Sequence, residues 1–148
     1  MRIVVGSDHA GFPMKAELVA FIRSRGHEVT DVGSYDPKPV DFPDIARKVA
    51  AAITSGAAER GLMVCGTGVG AAIGANKMKG IRAAVCHDVH SAHQSVEHDD
   101  VNVMCIGAQI VGPWLAKDLV AAYLDARFST DEDFRRRVAK LAEMDEGR

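Results

Sequence analysis

The stretch LMVCGTGVGAAIGA, residues 62–75, decides the fold of this chain. It begins with a short apolar run that ends at Cys65, which is typical of a buried strand. Three glycines at alternate positions, Gly66, Gly68 and Gly70, then permit a tight turn that opens a helix. A strand that enters a helix through a glycine-rich turn is a building unit of parallel α/β sheets.

The same alternation of strand and helix patterns continues in both directions along the 148 residues. Pro13 suits the first turn of a helix, and Gly26 suits the end of one. The patterns predict strands at residues 2–5, 28–32, 62–65, 81–86 and 103–106, and helices after residues 13 and 70 and near residues 44–54, 91–97, 113–126 and 131–143. We therefore expect a single domain, residues 1–148, with a three-layer α/β/α Rossmann-like (flavodoxin-like) fold and a five-stranded parallel sheet.

The composition excludes several functional classes. With 18 basic and 20 acidic residues, the net charge of -2 gives no nucleic-acid footprint. No apolar run approaches the roughly 20 residues of a membrane span, and the start MRIVVGSDHAG does not resemble a signal peptide. The three cysteines are expected to be thiols. We therefore expect a cytoplasmic protein that acts on a small molecule, with neither nucleic acid nor a membrane as a partner.

Polar clusters indicate where that small molecule binds. Ligands of open parallel α/β sheets lie outside the carboxyl ends of the strands. Four clusters are expected at such ends: Ser7-Asp8-His9, residues 65–68, Cys86-His87-Asp88, and residues 98–102.

The most specific of these clusters is CGTGVG, residues 65–70. Its glycines allow several backbone amides to converge on one point, which makes an anion hole together with the start of the helix. That positive end favours the thiolate of Cys65. A thiolate beside an anion hole can remove a proton from carbon while the amides stabilise the resulting oxyanion. Cys86 and Cys105 have no such loop beside them, and we expect both to be buried apolar residues.

A dinucleotide-binding interpretation competes for the same loop. Gly66, Gly68 and Ala71 satisfy G-x-G-x-x-A, and Asp88 lies about 20 residues further on. The pattern is weak by itself, and a chain of 148 residues leaves little room for a substrate domain. A P-loop is excluded, because no Gly-Lys-Ser/Thr follows the turn.

Asp8 and His9 have a catalytic and a structural interpretation of similar weight. They suit a general acid and base at the end of the first strand, but an aspartate there also commonly caps a helix or orders a turn. The three histidines His87, His90 and His93 recur every third residue, and a helix spreads such positions by more than half a turn. We therefore expect them on a helix surface, with a metal site as the less favoured alternative.

The last predicted helix carries both apolar and basic residues. Its spacing predicts a buried stripe of Phe134, Val138, Leu141 and Ala142, with Arg137 at the border of that stripe. We expect the remaining basic residues to form a solvated face: Arg135, Arg136 and Lys140.

Taken together, these motifs resemble the family of ribose-5-phosphate isomerase B and the galactose-6-phosphate isomerase subunits. The resemblance covers nearly the whole chain, in order and at fitting spacings. The matching motifs are GSDHAG at 6–11, DVG at 31–33, DFPD at 41–44, CGTGVG at 65–70, ANK at 75–77, GIRAAVC at 80–86, and residues 98–103.

The resemblance implies an aldose–ketose isomerase in which Cys65 moves a proton between C1 and C2 through an enediolate. Thr67 would then transfer the proton between the two oxygens, while the amides around Gly66, Gly68 and Gly70 hold the negative charge. The remaining roles implied by the resemblance are ring opening by Asp8 and His98 and a phosphate contact by His9. It also implies a homodimer with its site at the interface, or a tetramer built from it, and no metal or organic cofactor.

Several positions depart from the family pattern at the phosphate end. Gln109 and Asp133 stand where the family has arginines, and Arg137 keeps the remaining one. Residues four apart share a helix face, so Asp133 is expected to pair with Arg137, with Arg136 as a substitute ligand. Beside His98 the family usually has asparagine, whereas this chain has Asp99. We expect Asp99 to be one of the substrate-binding residues.

Phe42 replaces a common tyrosine. These departures bear on which substrate is bound and leave the predicted type of reaction unchanged. The reaction is expected to be an aldose–ketose isomerisation of the ribose 5-phosphate type. The alternatives are a different or unphosphorylated sugar, or a non-catalytic module that binds a nucleotide or anion.

Overall fold

The computed structural model describes all 148 residues, Met1–Arg148. Five strands alternate with helices as the sequence predicts, and a sixth helix closes the chain. The elements are β1 Arg2–Ser7, α1 Phe12–Ser24, β2 Glu28–Asp31, α2 Phe42–Thr54, β3 Arg60–Cys65, α3 Val69–Ala75, β4 Ala83–Val85, α4 Val89–Asp99, β5 Val103–Gly107, α5 Pro113–Asp125 and α6 Glu132–Glu146. The predicted α/β fold with a five-stranded parallel sheet is confirmed.

The strands lie in the order β2-β1-β3-β5-β4, and all four neighbouring pairs are parallel. This order exchanges the last two strands of the flavodoxin order. Every crossover is right-handed, so the direction of each step decides which face its helix covers. Steps toward β2 use one face and steps toward β4 use the other.

Two apolar cores therefore lie on the two faces of the sheet. The larger core contains side chains of α1, α4 and α5, and the smaller one contains those of α2 and α3. Successive side chains of a strand point to opposite faces, so Val64 joins the first core and Cys65 the second. Cys65 thus lies on the side of the sheet covered by α2 and α3.

The carboxyl ends of β1 and β3 form the topological switch point. The two strands are neighbours, with Ser7 opposite Val64, but the chain leaves them toward opposite faces. This divergence opens the crevice in which α/β proteins bind ligands. The fold therefore brings two of the predicted clusters together there, Asp8-His9 and the loop that begins at Cys65.

The cluster at residues 98–102 lies near the amino ends of the strands. Its predicted place at a carboxyl end is therefore wrong. It closes α4 and leads into the amino end of β5, where Val103 is opposite Gly61. Cys65 is opposite Gly107 at the other end of the same strand. The four intervening steps along β5 separate the two levels by about 13 Å.

The predicted buried stripe of the last helix is also wrong. No residue of α6 is buried: Phe134 and Val138 are half-buried, and Leu141 and Ala142 are exposed. The reason is that α6 lies outside the three layers, against the outer side of α4. None of the helices is both long enough and apolar enough to cross a membrane.

Candidate active site

Cys65 is the last residue of β3, and its thiol is held by the turn that follows. The backbone N–H of Gly68 donates to Cys65 Sγ over 3.0 Å. Gly68 has a φ of +82°, and a Cβ there would lie 3.2 Å from the backbone carbon of Ile106. Only glycine suits this conformation and this approach. An N–H that donates to the sulfur stabilises negative charge on it, and Cys65 is 6% exposed, so it retains an opening to solvent.

The turn also leaves amides free for a ligand. The N–H groups of Gly66, Thr67 and Gly70 form no hydrogen bond within the chain. Gly68 was expected to belong to this group, but its amide is committed to the sulfur. Thr67 is exposed, and its hydroxyl accepts a bond from the Val69 amide over 3.3 Å. The loop therefore presents a sulfur, a hydroxyl and three free amide donors within six residues.

Asp8 and His9 stand beside this loop at the switch point. One carboxylate oxygen of Asp8 accepts from the Gly11 amide over 2.9 Å, which orders the turn into α1. The structural interpretation of Asp8 is thus correct for one oxygen, while Oδ2 keeps no partner within the chain. The Val40 amide donates to His9 Nδ1 over 3.2 Å. A ring nitrogen that accepts must be unprotonated, so the proton of the neutral ring lies on Nε2.

A cavity of about 540 Å³ opens beside these two residues. The start of α2 forms its other wall, with Phe42 and Asp44, and Arg47 adds a positive charge. Arg47 pairs with Asp44 over 2.9 Å and is exposed. No local pattern in the sequence indicates Arg47 as a site residue, because only the tertiary fold brings α2 against the end of β1.

Gln109 and Phe42 touch the glycine loop from two sides. A Cβ at Gly66 would lie 3.1 Å from Gln109 Oε1, so the carboxamide rests directly on the loop. A Cβ at Gly70 would lie 2.9 Å from the ring of Phe42. Gln109, at the position where the resemblance implies an arginine, is therefore adjacent to the free amides.

A separate group of predicted site residues lies near the amino ends of the strands: His98, Asp99 and Arg137. The His98 ring stacks on Phe134, with ring centroids 3.9 Å apart and an interplanar angle of 15°. The Arg137 guanidinium lies 5.6 Å from the centroid of the same phenyl ring. Asp99 is exposed and lines a second cavity of about 380 Å³. Within one chain these residues do not meet Cys65.

The expected pairing of Asp133 with Arg137 is wrong. Asp133 binds Arg136 instead, over 2.6 Å, and this hydrogen bond lowers the pKa of the carboxyl group. The pairing at i, i+3 leaves the Arg137 guanidinium without a carboxylate partner. Arg136, considered as a substitute phosphate ligand, is already neutralised.

The histidine cluster is dispersed. His87 precedes α4 and accepts from the Gly107 amide over 2.9 Å, while His93 pairs with Glu97 over 3.0 Å on the helix surface. His90 is exposed. No group of three or more His, Cys, Asp and Glu side chains is placed to hold a metal ion.

Asp88, the candidate ribose ligand of the dinucleotide interpretation, serves as the N-cap of α4. Its carboxylate accepts from the Ser91 amide over 2.7 Å, which lowers its pKa. Cys86 and Cys105 are buried as predicted, at 1% and 0% exposure, and burial raises the pKa of both thiols. Of the three cysteines, Cys65 is the one placed for chemistry.

A sulfur, a hydroxyl and free amides at a switch point make a site for moving protons on a small polar substrate. The model of the ribose/galactose isomerase family matches residues 3–141. Ribose-5-phosphate isomerase B of Escherichia coli (strain K12) is 45% identical over 127 residues, covering 86% of this chain and 85% of that protein. D-Erythrulose-4-phosphate isomerase of Pectobacterium atrosepticum is 42% identical over 131 residues, covering 86% of this chain and 85% of that protein.

The structure of Clostridium thermocellum ribose-5-phosphate isomerase B superimposes with a TM-score of 0.96 at 44% identity, covering 99% of both chains. The protein described here belongs to the ribose/galactose isomerase family. It is therefore an enzyme of the aldose–ketose isomerase class.

Proposed function

We propose that this enzyme interconverts an aldose phosphate and its ketose phosphate through an enediolate, with Cys65 as the base and no metal or organic cofactor. The observation that carries the proposal is the hydrogen bond from the Gly68 amide to Cys65 Sγ beside three unused amides. Sulfur and anion hole thus come from one rigid turn, which is the arrangement that proton removal next to a carbonyl requires.

The steps follow from the residues present. The Cys65 thiolate removes the proton from C2 of the open-chain aldose, and the electrons of that bond move to the carbonyl oxygen. The amides of Gly66, Thr67 and Gly70 hold the enediolate. The Thr67 hydroxyl carries a proton between the two oxygens, and Cys65 returns its proton to C1. We assign Asp8 Oδ2 to ring opening and the Nε2–H of His9 to the phosphate contact.

The active unit of the proposal is a homodimer. His98 and Asp99 close α4 near the amino end of β5, about 13 Å along that strand from the level of Cys65, and Arg137 lies against the same Phe134 ring as His98. They reach the glycine loop only if a second copy supplies them. Two exposed apolar residues of α6 support this arrangement, because Leu141 and Met144 line the same cavity as Asp99 and lack cover within one chain.

The substrate that we propose first is ribose 5-phosphate, the substrate named for the Escherichia coli relative. A different sugar phosphate is the second candidate. It is favoured by Gln109 and by the Asp133–Arg136 and Asp44–Arg47 pairs, which leave Arg137 as the one of these three arginines without a carboxylate partner. The Pectobacterium relative is named for a four-carbon sugar phosphate, so substrate choice varies within the family.

The first test is an NMR assay in D₂O with ribose 5-phosphate, other aldose phosphates and unphosphorylated ribose. We expect turnover of at least one sugar phosphate, with deuterium entering C1 of the ketose, because the proton passes through an exchangeable thiol. Saturable binding of NADH or ATP, with no exchange on any sugar, would favour the nucleotide-binding alternative.

A substitution pair tests the phosphate end. Gln109→Arg with Asp133→Arg should lower KM for ribose 5-phosphate by about tenfold, since a charge-assisted hydrogen bond contributes about 1.5 kcal/mol or more. The second change also releases Arg136 from its carboxylate. The matched control is unphosphorylated ribose, for which KM should not fall. Equal KM values in variant and parent for every phosphorylated sugar would contradict this account of the pocket.

A further inference from the structure

We propose that His87, which lies outside the site described above, is a positioning residue that aims the anion hole. It follows β4 by two residues, and its Nε2 accepts the Gly107 N–H over 2.9 Å. A nitrogen that accepts carries no proton, so the neutral ring is protonated at Nδ1. The inference rests on the proposed function of the Cys65 loop.

Gly107 is where β5 passes directly beneath the catalytic turn. A Cβ at this position would lie 2.6 Å from Gly66 O and 2.6 Å from Thr67 Cα. Such contact with backbone leaves no room for a side chain. Any rotation of the Gly107 peptide is therefore transmitted to the turn.

The residues after Gly107 hold the two carbonyls next to the reacting sulfur. Ala108 N donates to Cys65 O over 2.8 Å, and Gln109 N donates to Gly66 O over 3.0 Å. A trans peptide is planar and its C=O and N–H point in opposite directions. Fixing Cys65 O therefore fixes the direction of the Gly66 N–H, and fixing Gly66 O fixes that of the Thr67 N–H.

His87 is the outer anchor of this chain of contacts. Without this acceptor the amide of the buried residue Gly107 would have no partner at the end of the sheet, where β4 has already ended at Val85. Because the acceptor comes from a side chain, one imidazole nitrogen anchors the Gly107 amide, while Gly107 O accepts from the amides of Ile110 and Val111 on the other side of the turn. Two of the three free amides take their direction from that turn.

The test compares two substitutions that both remove the imidazole. In His87→Gln the carboxamide oxygen can still accept near the former Nε2, whereas His87→Leu has no acceptor. We expect His87→Leu to lower kcat by about 10- to 100-fold with KM within threefold, because small displacements of catalytic groups cost rate more than binding. His87→Gln should recover kcat to within about threefold of the parent. His90→Leu, at an exposed position of α4, is the matched control and should leave kcat unchanged.

A second readout does not depend on activity. In ¹⁵N-labelled protein, the His87 ring should be protonated at Nδ1 and hydrogen-bonded at Nε2. The amide resonances of Gly66, Thr67 and Gly107 should move in His87→Leu and return toward the parent positions in His87→Gln. Equal losses of kcat in both variants, no loss in His87→Leu, or protonation at Nε2 would overturn the proposal. Inactivity of the parent enzyme on every sugar would instead count against the proposed function, while the NMR comparison would still decide the role of His87.

Discussion

Replacing Cys65 with alanine is expected to lower kcat by about 10³-fold or more while KM stays within about threefold, because a general base acts in the transition state rather than in substrate binding. The Gly68 amide, which donates to the sulfur in the parent, would lose its partner but remain in place. Steady-state kinetics on the best substrate of the NMR panel measures both constants.

The matched control for this variant is Cys86→Ala. Cys86 is a buried thiol whose pKa is raised by burial, and it should tolerate truncation with kcat unchanged. Alkylation with iodoacetamide should inactivate the parent and Cys86→Ala alike, with the added mass on the peptide that contains Cys65. Turnover by Cys65→Ala within tenfold of the parent would remove Cys65 from the role of base.

Two inactive variants are expected to restore activity when they are combined. In a heterodimer of Cys65→Ala and His98→Asn chains, one site carries both substitutions and the other carries neither. Purified heterodimers with two different affinity tags should therefore show about half of the parent activity, since a two-fold dimer has two equivalent sites. The gain in activity over either homodimer should be large, because every site of each singly substituted homodimer lacks a group that the reaction needs.

The control pairs Cys65→Ala with Thr67→Ala. Both residues belong to the same turn, so each site of that heterodimer keeps one lesion, and no activity should return. Recovery in this control as well would show contamination by unsubstituted chains. Heterodimers of the first pair that form but stay inactive would contradict a site shared between two copies.

The elements and the catalytic turn could be predicted because their signals are local. Alternating apolar runs, Pro13 near a helix start and the glycines at 66, 68 and 70 each constrain their own backbone, and the structure agrees at these positions. Asp8, His9 and Cys65 converge because the carboxyl ends of neighbouring parallel strands must meet. Periodicity and sheet geometry are sufficient for these conclusions.

The predictions that the structure contradicts concern contacts that a single strand or helix does not determine. A stripe such as Phe134 and Leu141 indicates an apolar face but not whether the same chain covers it. Residues that precede a strand and residues that follow one lie at opposite ends of that strand. His98 precedes β5, so it lies away from Cys65, which is level with the other end of β5. Asp133 found Arg136 because i, i+3 and i, i+4 partners are both within reach on a helix.

In the proposed homodimer, the placement of Cys65 and His98 near opposite ends of the strands also sets how the reaction rate depends on protein concentration. In that dimer, a two-fold axis across the strands would join the carboxyl end of the sheet in each copy to the amino end in the other, so association would complete both sites at once. A dissociated chain carries only half of the required groups. At dilutions below the dissociation constant, the reaction rate should therefore rise with the square of the protein concentration, whereas above it the rate should become linear.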